Sequence, residues 1–138
     1  MSNETERHMM NSSPPVSKYT MLDRLDHVQI AIPRDGEGAA RAFYCGILGF
    51  EEVPKPPELA NRGGAWFRSG SATLHLGVDD AFKPAKKAHP AFRCVDYGEL
   101  LKRLSDHAVV VIQDANPFEG RPHCYIADPF GNRIEIIG

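Results

Sequence analysis

Apolar and polar residues alternate in short runs along this chain, and the runs come in two matching sets. In the first, Leu25 to Ile32 predicts a strand with Val28, Ile30 and Ile32 on one face and His27, Gln29 and Ala31 on the other. Pro33 and Asp35 end it. Ala39, Phe43 and Ile47 recur at helical spacing, which predicts a helix from Gly36 to Leu48 closed by Gly49. A short strand from Phe50 to Val53 then leads into a loop rich in proline and glycine. Ala65 to Arg68 and Thr73 to Val78 read as a hairpin around Ser69-Gly70-Ser71.

The second set repeats this order after a linker of about ten residues, an ordinary length for a connection. His89 to Cys94 is a strand with His89, Ala91 and Arg93 on one face and Pro90, Phe92 and Cys94 on the other. Asp96 and Glu99 form the cap of a helix carrying Leu100, Leu101 and Leu104. Val109 to Ile112 reads as a buried strand. His123 to Asp128 and Asn132 to Ile137 form a hairpin around Pro129-Phe130-Gly131. Each half is therefore strand, helix, strand, strand, strand, with a period near 60 residues. His89 follows His27 by 62 positions, and Glu135 follows His75 by 60. One such half cannot easily cover both faces of its own sheet, so two halves are expected to pack together. The fold class is α+β, with modules at 22–79 and 88–138 in one domain, 21–138, behind an N-terminal arm, 1–20, that reads as flexible.

Composition narrows the function. The chain has 138 residues, enough for one domain with a real core, and is 42% hydrophobic and 25% charged. A net charge of −2 with scattered basic residues gives no electrostatic case for nucleic acid or an anionic membrane. The cluster Lys83, Lys86 and Lys87 lacks interleaved aromatics and reads as a solvated loop. Cys45, Cys94 and Cys124 lie far apart, which fits reduced thiols in the cytoplasm better than a disulfide framework. The arm lacks the apolar stretch of a signal peptide, and nothing later approaches a membrane span.

The chemistry lies in polar residues placed on strands. Leu74 and Leu76 flank His75, and Ile134 and Ile136 flank Glu135, so the apolar neighbours face the helices and His75 and Glu135 face the other side. With His27 and His89 at the starts of the first strands, four coordinating groups occupy equivalent places in the two halves. Any one of them alone is more often solvated or hydrogen-bonded; it is their symmetry that points to a metal site of histidines and a carboxylate. His8, in the arm, and His107, at a helix end, have no such company. A three-residue loop with left-handed Gly131 would pair Asp128 with Asn132 and Tyr125 with Glu135, bringing Tyr125 and His123 onto the Glu135 face. Pairing Phe67 with Ala72 would set Trp66 beside Thr73 on the His75 face. Gln29 and Arg93 share their faces with His27 and His89. Gln29, Trp66, Arg93 and His123 are thus the candidates to meet a substrate, though a one-residue slip would reverse the hairpin inferences.

Leu25-Asp26-His27-Val28, Phe43-Tyr44 with Leu48-Gly49-Phe50, Leu74-His75-Leu76-Gly77, His89-Pro90-Ala91-Phe92 and the run from Asp128 to Glu135 together resemble the vicinal oxygen chelate superfamily, the glyoxalase, bleomycin-resistance and extradiol-dioxygenase group. The resemblance covers Leu22 to Gly138. It implies paired βαβββ modules forming a cupped mixed sheet with helices on the outer face. It also implies a metal triad of His27, His89 and Glu135, holding a divalent ion such as Fe, Mn, Zn or Ni. Glyoxalase I-like enzymes carry Glu at the place of His75, so His75 is either a fourth ligand or an acid–base group. Extradiol dioxygenases have a catalytic His at a comparable place and a Tyr near Tyr125, which makes these two the catalytic candidates. Fosfomycin-modifying relatives carry a basic residue well beyond the last Glu, whereas this chain stops at Gly138. The expected function is a metal-dependent enzyme acting on a small molecule with neighbouring oxygens, dioxygenase-like ahead of glyoxalase-like, in a homodimer. The competing expectation is a metal-free binding protein of the drug-sequestering kind.

Overall fold

In a computed structural model of the chain, residues 14–138 are described; His8 and the first part of the arm lie outside them. Two modules follow one another. The first holds β1 (Val28–Ile32), α1 (Glu37–Ala40) continued by a π-helical turn (Arg41–Cys45), β2 (Glu51–Val53), a 3₁₀ turn (Pro57–Arg62), β3 (Ala65–Ser69) and β4 (Ala72–Val78). The second holds β5 (Ala91–Arg93), α2 (Tyr97–Asp106), β6 (Ile112–Gln113), β7 (His123–Ala127) and β8 (Arg133–Ile137). Each module makes its own four-stranded mixed sheet, in the orders β1-β4-β3-β2 and β5-β8-β7-β6. In each the first strand runs parallel to the last, and the remaining neighbours are antiparallel. The repeat seen in the sequence is thus a repeat of topology. No ladder joins the two sheets among the described residues.

Alternation sorts the faces as the pattern requires. Phe67, Leu74, Leu76, Cys124, Ile126, Ile134 and Ile136 are buried and form one core with Phe43 and Tyr44 of the π turn and Leu104 of α2. The helical segments therefore lie on the apolar faces, leaving His75 and Glu135 on the opposite faces. Asp96 caps α2 as expected, its carboxylate accepting from the Glu99 amide at 3.1 Å.

Three expectations need correction. The helix expected over Gly36 to Leu48 is α-helical only to Ala40; Gly46 and Leu48 then donate to the carbonyls five residues back, at 3.1 and 3.0 Å. The wider turn brings both Phe43 and Tyr44 to the core, and the buried face starts at Ala40 while Ala39 is exposed. The buried strand expected at Val109 to Ile112 is instead a two-residue edge strand, with Val110 76% and Ile112 64% exposed. An edge strand can bury only one face, and here Val109 and Val111 take it. The first hairpin closes two residues tighter than expected: Ser69 pairs with Ala72 and Trp66 with His75. A shift of two preserves every face, so Trp66 still shares the His75 side.

The modules are also joined by polar contacts. The buried Tyr44 hydroxyl donates to Asp128 Oδ2 at 2.7 Å, and the Asn132 amide donates to the Ala31 carbonyl at 2.8 Å. Asp128 further accepts from the Phe130 and Asn132 backbone and from the Asn132 side chain, at 2.8–2.9 Å. Phe50 meets Phe92 edge to face, ring centroids 5.5 Å apart.

Candidate metal centre

The donors fall into two groups, one on each sheet. On the first sheet, His75 of β4 is the direct antiparallel partner of Trp66 and the parallel partner of Gln29. Its ring lies flat on the Trp66 indole, centroids 3.9 Å apart and planes 1° from parallel. On its other side, His27 stacks at 4.0 Å. Burial, with His27 adding to it, holds His75 below the ordinary histidine range, so its imidazole is neutral near neutral pH. Gln29 covers Gly77, where a Cβ would come within 2.7 Å of its Nε2.

On the second sheet, Glu135 of β8 is buried between two imidazoles. His89 Nε2 lies 2.8 Å from Oε1, and His123 Nδ1 lies 3.1 Å from Oε2. Burial pushes the Glu135 carboxyl upward, but the contacts with His89 and His123 outweigh it and hold the carboxyl below its usual range. His123 is itself buried and its Nε2 donates to the Asn116 carbonyl at 2.7 Å, with Asp114 3.6 Å away. Tyr125 pairs with Glu135 across the ladder, as the loop length required. Desolvation and the nearby Glu135 raise its hydroxyl pKa, so it stays a donor.

The two outer histidines are held alike. His27 Nδ1 lies 2.8 Å from Asp26 Oδ1, and His89 Nδ1 lies 2.8 Å from the Lys87 carbonyl. A carbonyl oxygen can only accept, so Nδ1 of His89 carries a proton, and the ring points Nε2 at Glu135. Nε2 either donates a second proton to Glu135 Oε1 or, deprotonated, shares a cation with it. Imidazoles that ligate metals are typically tied down through the other nitrogen in this way. The donor set fits a divalent ion that takes nitrogen and oxygen ligands. Within one chain, however, the two groups do not converge: among the described residues no three His, Cys, Asp or Glu side chains are arranged to hold a metal.

Arg93, also a candidate, is exposed beyond Ala91 on β5 and lines a cavity of about 650 Å³ at the seam between the modules, with Phe50 and Phe92. Arg133, Asp114 and the Lys87 carbonyl also lie at these groups, outside the set that the sequence pattern announced. Arg133 could have been found by alternation, two positions before Glu135. A backbone carbonyl leaves no such signal.

With this geometry in hand, comparison with known proteins places the chain. The family model described as the Glyoxalase/Bleomycin resistance protein/Dioxygenase superfamily matches residues 24–136. The chain belongs to that superfamily. A protein from Bacillus anthracis assigned to the glyoxalase family is 45% identical, with a TM-score of 0.81 over 86% of this chain and 96% of the other. A lactoylglutathione lyase from Agrobacterium tumefaciens is 26% identical, with a TM-score of 0.59 over 79% and 90%. An antibiotic-binding protein from a Streptomyces species shares the fold at 18% identity, with a TM-score of 0.65 over 86% and 98%. No curated protein matches the sequence. The fold thus serves both a lyase and an antibiotic-binding protein, and no helix among the described residues is long and apolar enough to cross a membrane.

Proposed function

We propose that this glyoxalase-superfamily chain is a metal-dependent enzyme acting on a small molecule with neighbouring oxygens, with dioxygenase-like chemistry ahead of glyoxalase I-like isomerisation. One observation carries the reading: His27 and His89 are both tied through Nδ1 to an upstream oxygen, and His89 Nε2 stands against Glu135 Oε1 at 2.8 Å. His27, His89 and Glu135 would hold the ion. Because the donors of the two sheets stay apart within the chain, we propose further that a homodimer completes each site, one protomer giving His27 and its partner giving His89 and Glu135. A divalent ion there would supply Lewis-acid polarisation of the substrate's adjacent oxygens.

The remaining work falls to side chains. His75, neutral and clamped by Trp66, is suited to take a proton from a substrate hydroxyl. Tyr125, kept protonated, can donate to an oxygen on which charge develops. His123 holds the far oxygen of Glu135 and limits how the carboxylate can turn. Gln29 and Trp66 would floor the substrate pocket on the first sheet, and Arg93 and His123 its counterpart on the second.

The test is anaerobic loading with Fe(II) followed by catechol and oxygen. Ring-cleaving turnover with oxygen uptake is expected, and His75→Ala should abolish it while retaining metal. Isomerisation of a thiol hemiacetal without oxygen uptake would move the assignment to the glyoxalase I type. A second reading has its own support: the Trp66–His75–His27 stack is a flat aromatic surface of the sort that binds planar drugs. Failure to retain any first-row metal, with ligand affinity unchanged in His89→Ala, would favour that binding role.

A further inference from the structure

Arg133 stands two positions before Glu135 on β8, so strand alternation puts both side chains on the polar face. Its guanidinium carbon sits 4.0 Å from the centroid of the Tyr125 ring. The ladder explains this: Tyr125 pairs with Glu135 and Ala127 with Arg133, which makes Arg133 and Tyr125 diagonal neighbours over a small residue. A guanidinium lying on an aromatic face keeps its N–H edges free in its own plane, the arrangement that grips a carboxylate through two parallel hydrogen bonds.

What sets Arg133 apart is half-burial without an ion pair: Arg24, Arg62, Arg93 and Arg103 also lack one among the described residues, but all four are exposed. Arg34, Arg41, Arg68 and Arg121 each have a carboxylate within 4.0 Å. Arg133 has no ion pair among the described residues, although it is half-buried and fixed in place by Tyr125. Arg93 lies on the same face, opposite Ile137 on the neighbouring strand. The Arg93 side chain, however, lines the seam cavity with Phe50 and Phe92, so Arg133 is the guanidinium positioned beside the candidate catalytic hydroxyl.

We propose that Arg133, seated on the Tyr125 ring, recognises an anionic group of the substrate. The substrate class is then a compound bearing a carboxylate a few atoms from its neighbouring oxygens. The claim of a carboxylate beside neighbouring oxygens rests on the function proposed above; the anion contact itself does not.

Three probes separate the two. The full chain, loaded with Zn(II) to exclude redox turnover, is titrated calorimetrically with catechol, 3,4-dihydroxybenzoate and benzoate. The dihydroxybenzoate is expected to bind at least about tenfold tighter than catechol, as one charge-assisted contact requires. Arg133→Met should erase that ratio while leaving catechol affinity and zinc content unchanged, and Arg133→Lys should restore only part of it. Benzoate needs no metal: its binding to metal-free protein, lost in Arg133→Met, would support the anion contact even if zinc were not taken up, a result that counts against the metal reading alone. A ratio near one in the wild type, a ratio untouched by Arg133→Met, or no binding of either anion would overturn the proposal. Equal loss of catechol and dihydroxybenzoate would also overturn it, because Arg133 would then merely be supporting the site.

Discussion

Tyr44 shows how one buried hydroxyl can act on stability from a distance. It is fully buried, and its O–H donates to Asp128 across the module boundary. Burial, then the Asp128 charge, pushes the phenol well above its usual range. A group whose folded pKa is raised contributes stability present below its unfolded pKa and lost as pH climbs beyond it. The Tyr44 contribution should therefore be constant below about pH 10 and then fall by up to about 1.4 kcal/mol per pH unit. Tyr44→Phe should lessen that alkaline slope, leaving the part due to other raised groups such as Tyr97 and Cys124, and cost about 1–2 kcal/mol at neutral pH, where Asp128 keeps its three other donors. Urea titrations at several pH values check both effects; a variant with the wild-type slope would refute the assignment. At this scale the sequence was only partly legible. His75 and Glu135 stood out because each is a polar residue between apolar ones. Tyr44 did not, because an aromatic in a helical run looks like core whether or not its hydroxyl finds a partner 84 residues away.

Among the elements, the hairpin between β7 and β8 was the most readable. Gly131 adopts φ +90°, and the turn closes through its amide on the Asp128 carbonyl at 3.1 Å. That conformation sets the loop at three residues and so places Tyr125 opposite Glu135. A methyl group there would be strained by the backbone and would also meet Pro84 at 3.3 Å. Gly131→Ala should cost roughly 1–2 kcal/mol in denaturant titration; a loss below a few tenths would mean that the loop relaxes freely. The first hairpin was read with the right faces and the wrong loop length, since Ser69-Gly70-Ser71 admits several turns while hydrophobic alternation fixes only parity. The π turn in the first helical segment was not legible: 3.6-residue periodicity cannot announce an inserted residue, and both Ala39 and Ala40 suit a buried face.

For the whole molecule, the repeat made the two modules plain, but it could not say which module of which chain meets which. A cross-dimer site makes a specific demand. In a twofold dimer, mixing His27→Ala chains with His89→Ala chains leaves each heterodimer one intact site and one doubly damaged one. After subunit exchange, metal content should recover from near zero to about a quarter of the wild-type value, the share expected from random pairing. Metal analysis of the mixture, with each variant alone as control, decides it. No recovery after verified exchange would place the site within single chains.

The contacts of Asp128 and Asn132 give the last motif a second meaning. Its glycine sets the register that brings Glu135 beside Tyr125, while its aspartate and asparagine reach back to Tyr44 and Ala31 in the other module. A duplicated half-domain could in principle have kept its two copies as independent beads. Here the second copy is keyed into the first like a tenon in its mortise, so neither half is a finished object. Cutting the linker would give two fragments that still need each other, and complementation between them, not autonomy, is what this architecture has inherited.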